Sequence, residues 1–158
     1  MTEKNAELPT EKNIEDYSLL KDMLKSQRQE FNLLSKKKPD DHLNKMKIKM
    51  VNRVLEPLNE ILKHEPSYKF LDILNEDDMP TNSDVVLIIS QYETAISEFR
   101  NKYHIKDKYQ TNDYGDHVSR WMTQEFPPDY YATNESEENY EDDEEYESKK
   151  EITDSTHK

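Results

Sequence analysis

The sequence predicts an all-α fold: a small antiparallel bundle of three to four helices, with a disordered N-terminal arm and a disordered acidic C-terminal tail. Three observations lead there. The first is glycine poverty, with one Gly in 158 residues. Glycine supplies positive φ and close backbone approach, so a single Gly115 cannot build a phosphate-cradling loop, a dinucleotide fingerprint or a nucleophile elbow, and it disfavours tight hairpins. The second is where the apolar residues lie. Only 32% of the chain is hydrophobic, 36% is charged and the net charge is −13, a balance that favours disorder unless the apolar residues are concentrated. They are: beyond Lys106 the only Ile, Leu or Val residues are Val118 and Ile152, and nearly all the rest fall between Ile14 and Ile105. The third is their spacing, which repeats in steps of three and four.

Residues 1–12 read as the arm. Asn13 is placed as the N-cap of a helix over about 14–36, whose inner face carries Tyr17, Leu20, Leu24, Phe31 and Leu34, with Gln27 at the one polar position of the seam. Three lysines and Pro39 end it. Asp40 or Asp41 then caps a second helix whose face includes Leu43, Met46, Met50, Val54, Leu58 and Ile61. An interior proline costs roughly 3 kcal/mol, so Pro57 predicts a kink or break near Arg53–Glu56. A short helix is expected over 67–75. Another runs from about 84 to 104, capped by Asn82 or Ser83, with Val85, Ile88, Tyr92, Ile96, Phe99 and Tyr103 in register. The run Val85–Ile89 would also suit a buried strand, but the continuing periodicity favours helix.

The domain organisation follows: a bundle over 13–105, a linker over 106–132 with a short Trp-containing motif or packed helix, and the acidic tail over 133–158. Trp121 is the only tryptophan. With Val118, Met122 and Phe126 it falls near i, i+3, i+4 and i+8, so a helix capped by Asp116 and closed by Pro127 and Pro128 would gather them on one side. Polar sequence on both sides suggests a recognition motif that folds in a partner's groove and leaves Trp121 in water until then.

The tail carries eleven acidic residues and three lysines, a balance of 3 − 11 = −8. Within it Tyr140 and Tyr146 are interleaved with acids, a pattern that resembles the short acidic-aromatic segments by which some histone chaperones hold histone dimers. That likeness covers about ten residues. It implies attraction to a basic protein, with the tyrosine rings adding cation–π contacts. The opposite charge gathers at Lys36, Lys37, Lys38, Lys45, Lys47, Lys49 and Arg53, a patch that could bind phosphates, carry an import signal or receive the tail.

Chemistry is sparsely represented. There is no Cys, so disulfides and thiolate catalysis are excluded. No two of the five histidines have the i, i+4 spacing of a zinc-binding helix, and the Asn75–Asp84 stretch lacks the central Gly and terminal Glu of a calcium loop. No catalytic residue, cofactor or metal is expected. The polar N-terminus shows no signal peptide and no apolar run is long enough to span a membrane. The expected function is therefore non-enzymatic: a protein-protein interaction module, a small helical subunit or adaptor of a larger nuclear or cytosolic complex, the nucleus slightly favoured. The alternative is an acidic chaperone-like binder of a basic partner such as histones. Protein subunits are the expected partners; nucleic acid and membranes are not.

Overall fold

Thr10 opens the first helix. In the computed structural model, which describes residues 7–132, α1 spans Glu11–Lys37. The Thr10 hydroxyl accepts from the Asn13 amide at 3.1 Å, and the Asn13 side chain accepts from the Thr10 amide at 2.9 Å. Asn13 is thus the inner partner of a reciprocal capping box rather than the cap itself. The helix ends where Lys38 N–H closes on the Leu34 carbonyl, just before Pro39. Ile14, Tyr17, Leu20, Leu24 and Phe31 are buried along it, on the face expected.

The second helix, α2, spans Lys45–Ile61 and is capped by Asn44, whose side chain accepts from Lys47 N–H at 2.9 Å. Pro57 does not break it. Pro57 and Arg53 both lie on the exposed side, where the carbonyl that loses its donor can face water, and the buried residues Val51, Val54, Leu55 and Leu58 hold the helix through the defect. The helix expected over 67–75 shrinks to a 3-10 turn, Pro66–Phe70, followed by extended chain. Leu71 and Leu74 are still buried, but in an extended segment whose backbone is satisfied by side chains. Asn52 donates to the Leu74 carbonyl at 2.8 Å and accepts from its N–H at 3.0 Å, while the Tyr92 hydroxyl donates to the Asp72 carbonyl at 3.1 Å. A second 3-10 turn covers Glu76–Asp78. The third helix, α3, spans Asn82–Tyr103 and opens with another capping box, Thr81 with Asp84. The Val85–Ile89 run is helical.

The helices do not alternate up and down throughout. Leu43 N–H bonds the Pro80 carbonyl, Asn82 N–H the Asp41 carbonyl, and the Asn82 side chain the Lys38 carbonyl, so the end of α1 meets the starts of both α2 and α3. At the opposite end the Tyr103 hydroxyl donates to Glu65 at 2.6 Å, joining the close of α3 to the chain just after α2. Helix α1 is therefore antiparallel to the other two, and α2 and α3 are parallel, because residues 62–81 travel back the full length of the bundle before α3 begins.

The larger correction concerns the fold class. The protein is not all-α. Tyr103 passes straight into strand β1, His104–Thr111, which pairs antiparallel with β2, His117–Trp121. His104 lies opposite Trp121 and Lys106 opposite Ser119; the register then shifts before Thr111 meets His117. The only glycine makes this hairpin feasible: Gly115 sits at φ +85 in the turn, and Asn112 Oδ1 accepts from both Tyr114 N–H and Asp116 N–H. Scarcity of glycine argued against hairpins in general, yet one hairpin needs only one residue at positive φ. Residues 133–158, with Tyr140, Tyr146 and the expected disordered tail, lie outside the described residues, as do 1–6 of the arm.

Candidate docking surfaces

The segment expected to form a Trp-bearing helix is strand β2 and the loop after it. This change of period redistributes the four apolar residues. In a helix they would share a side; in a strand Val118 and Trp121 point to opposite faces. Trp121 turns toward the bundle, its ring 5.2 Å from that of Tyr17, 6.1 Å from Phe99 and 5.1 Å from His104. Trp121 and Met122 are half-buried against the core, and Met122 N–H donates to the Tyr103 carbonyl at 2.7 Å. Trp121 is thus already packed in the free chain, and the expectation that it waits in water does not hold. Val118 stays exposed, and Phe126 is also on the surface, edge-on to Tyr130 at 4.9 Å.

The other face of the hairpin is organised by Arg120. Its guanidinium donates to the buried Asp107 carboxylate, to the Phe126 carbonyl at 2.8 Å and to the Pro127 carbonyl at 2.9 Å, and it lies 5.3 Å from the Tyr131 ring. Burial works to raise the Asp107 pKa; the hydrogen bonds from Arg120 and from Tyr109 N–H, with the adjacent positive charge, outweigh it and hold the carboxyl below its ordinary value. Thr123, fully buried, donates to Glu11 at 2.8 Å, and Gln124 N–H donates to the Pro9 carbonyl at 2.9 Å. The chain after β2 is therefore tied to the start of α1. Arg120 and Asp107 form a structural hub that spacing along the chain did not reveal, since the partners sit thirteen residues apart across a strand pair.

The basic patch is on the surface as expected. Lys36, Lys37 and Lys38 project from the last turn of α1 and its cap; Lys45, Lys47, Lys49 and Arg53 are exposed on α2. Lys45 is bridged to Glu76 at 3.3 Å. Beside the patch lies an uncovered apolar row. Met46 and Met50 stand on the outer side of α2, 64% and 53% exposed, and Leu19 and Met23 on the outer side of α1, 64% and 48% exposed. Gln27 donates to the Met50 carbonyl at 3.0 Å, so the row Leu19–Met23–Gln27 on α1 runs up against Met50 on α2.

A second basic surface went unread in the sequence. Lys21, Lys25 and Arg28 lie at i, i+4 and i+7 on α1, one turn-spaced stripe, and Arg100 approaches from α3. Between the helices runs an open groove of about 370 Å³ whose floor is Tyr17, Leu24 and Ile96. Arg28 is paired with Glu93 at 3.3 Å; among the described residues Lys21, Lys25 and Arg100 make no ion pair. Burial pushes the Tyr17 hydroxyl pKa up, against the opposing influence of the Arg100 charge, and Tyr17 donates weakly to the Ile96 carbonyl at 3.4 Å.

Among the described residues no group of three His, Asp or Glu side chains is placed to hold a metal ion, and no helix is long and apolar enough to cross a membrane. In comparisons with known proteins the chain matches no family model, no curated protein and no solved structure.

Proposed function

We propose that this chain is a non-enzymatic protein-protein interaction module, a small helical subunit or adaptor of a larger nuclear or cytosolic assembly, with the nucleus the favoured setting. The observation that supports this reading is the uncovered row of Leu19, Met23, Met46 and Met50 across α1 and α2. Four large apolar side chains, 48% to 64% exposed, contribute little to the free fold that a polar residue could not replace. Methionine suits a docking face, because its unbranched, polarizable side chain adapts to the contour of a partner. The neighbouring Lys47, Lys49 and Arg53 would steer a partner with acidic flanks. The test replaces Met23, Met46 and Met50 together with Ser in the full chain. Thermal unfolding should be unchanged, and the proteins recovered with the wild type by affinity purification and mass spectrometry should be lost. Recovery of the same proteins at the same yield by the triple variant would overturn the reading.

A further inference from the structure

We propose that the groove between α1 and α3 is the docking site of this chain's own acidic-aromatic segment, residues 138–148, bound in cis. The groove and the segment are complementary in both respects that decide such a contact. The groove offers an apolar floor, with Tyr17, Leu24 and Ile96, under a rim of Lys21, Lys25 and Arg100 that makes no ion pair among the described residues. Glu93, the carboxylate at its edge, is already neutralised by Arg28, and Glu98 faces the next depression along α3. Residues 138–148 offer Glu138, an unbroken acidic run from Glu141 to Glu145, and Glu147, with Tyr140 and Tyr146 flanking that run. A tyrosine ring can lie on the apolar floor or over Arg100, and the carboxylates can meet the lysines.

Chain geometry puts this groove within the segment's reach. The described chain ends at Ala132, next to Tyr131, whose ring rests against Arg120. Arg120 adjoins Trp121, whose ring is 5.2 Å from that of Tyr17, one of the residues that line the groove. Tyr140 is the eighth residue after Ala132, an extended reach of at most about 28 Å, and the acidic run that follows it reaches further. A tether this short holds the segment near the groove at an effective concentration of order mM, enough for a modest contact to be populated.

The chain has no cysteine, so Ser148→Cys creates a unique attachment point for a nitroxide spin label in the full-length protein. With the label in place, the amides of Lys21, Lys25, Ser97 and Arg100 should lose most of their NMR intensity. The intensity should return in about 0.5 M salt, where the Debye length is roughly 4 Å. It should also return in the full-length variant Glu141→Gln/Asp142→Asn/Asp143→Asn/Glu144→Gln/Glu145→Gln. Lys21→Ala/Lys25→Ala/Arg100→Ala, all at exposed positions, should abolish broadening at Ser97 without altering thermal unfolding. Broadening centred on Lys36–Lys38 or Lys45–Lys49, or no localised broadening, would overturn the proposal. So would equal broadening when isotope-labelled chain without the nitroxide is mixed with unlabelled spin-labelled chain, since that places the tail on another copy.

Discussion

The helical bundle, residues 11–103, and the C-terminal hairpin with its following loop, residues 104–132, are held by different physics. The bundle closes on aliphatic and aromatic burial: Leu24, Leu55, Leu58, Leu62, Val85 and Ile89 are all inaccessible to solvent. The hairpin and its loop contribute two large apolar side chains to that core, Trp121 and Met122, and are otherwise secured by a buried arginine–carboxylate pair and by hydrogen bonds to the start of α1. Non-directional burial tolerates many sequences with the right spacing. A polar hub depends on a few partners in fixed geometry and fails when any one is removed.

Substitutions should separate the two regions. The largest effect is expected at Phe99, which is buried and touches Tyr17, Tyr103 and Trp121 together. Phe99→Ala should cost about 3–5 kcal/mol in global denaturant unfolding. In the hairpin, Arg120→Met strands the buried Asp107 charge and should cost roughly 3 kcal/mol, seen first as loss of hydrogen-exchange protection in β1 and β2. Adding Asp107→Asn should recover much of that loss. If the double variant is as destabilised as the single, the pair is not what anchors the hairpin.

The two regions should also fail at opposite ends of the pH scale. Tyr92, in the bundle, has its hydroxyl pushed up to about 12, chiefly by burial, with the Asn59 hydrogen bond acting against it. A raised pKa means the folded state favours the neutral phenol, so this contribution is complete below about pH 10 and is lost as pH rises toward 12. Asp107 has a lowered pKa, so its contribution is complete above about pH 4 and disappears as pH falls further. Hydrogen exchange should therefore show the hairpin loosening first in acid and the bundle first in alkali; Tyr92→Phe should reduce the alkaline component, leaving the part due to Tyr17 and Tyr103, whose hydroxyls burial also pushes up. The smallest effect is reserved for the turn. Gly115 has open space where a Cβ would go but sits at φ +85, so Gly115→Ala should cost about 1 kcal/mol from backbone strain alone, confined to the hairpin.

How far each region was legible follows from the same contrast. Tyr17, Leu20, Leu24, Phe31, Val85, Tyr92 and Phe99 were readable because helical burial leaves a periodic trace. Caps were misread by a few residues at α1, α2 and α3 because several Ser, Thr, Asn and Asp residues compete near each helix start, and only the reciprocal bonds of Thr10–Asn13 and Thr81–Asp84 decide among them. Of the candidate site, the exposed lysines and Arg53 lay where expected. Val118, Trp121, Met122 and Phe126 did not form one face, because four apolar residues in a polar segment fit a helix or a strand equally well.

By itself the sequence determined that three long amphipathic helices form, which faces of α1 and α3 are buried, and that glycine-dependent nucleotide sites and cysteine chemistry are absent; on α2 it placed Met46 and Met50 inside, whereas they are exposed and Ile48, Val51 and Leu55 are buried with Val54 and Leu58. Those properties are local or compositional, written in spacing and residue type. Only the tertiary structure decided that α2 and α3 run parallel, that Leu71 and Leu74 are buried from extended chain, and that Trp121 packs on Tyr17 and Phe99. It alone brought Arg100 to Lys21 and Lys25 across a groove. Each of these depends on contacts between residues far apart in the chain, where a hydrogen bond or a ring contact, and no local period, selects among conformations that the sequence allows.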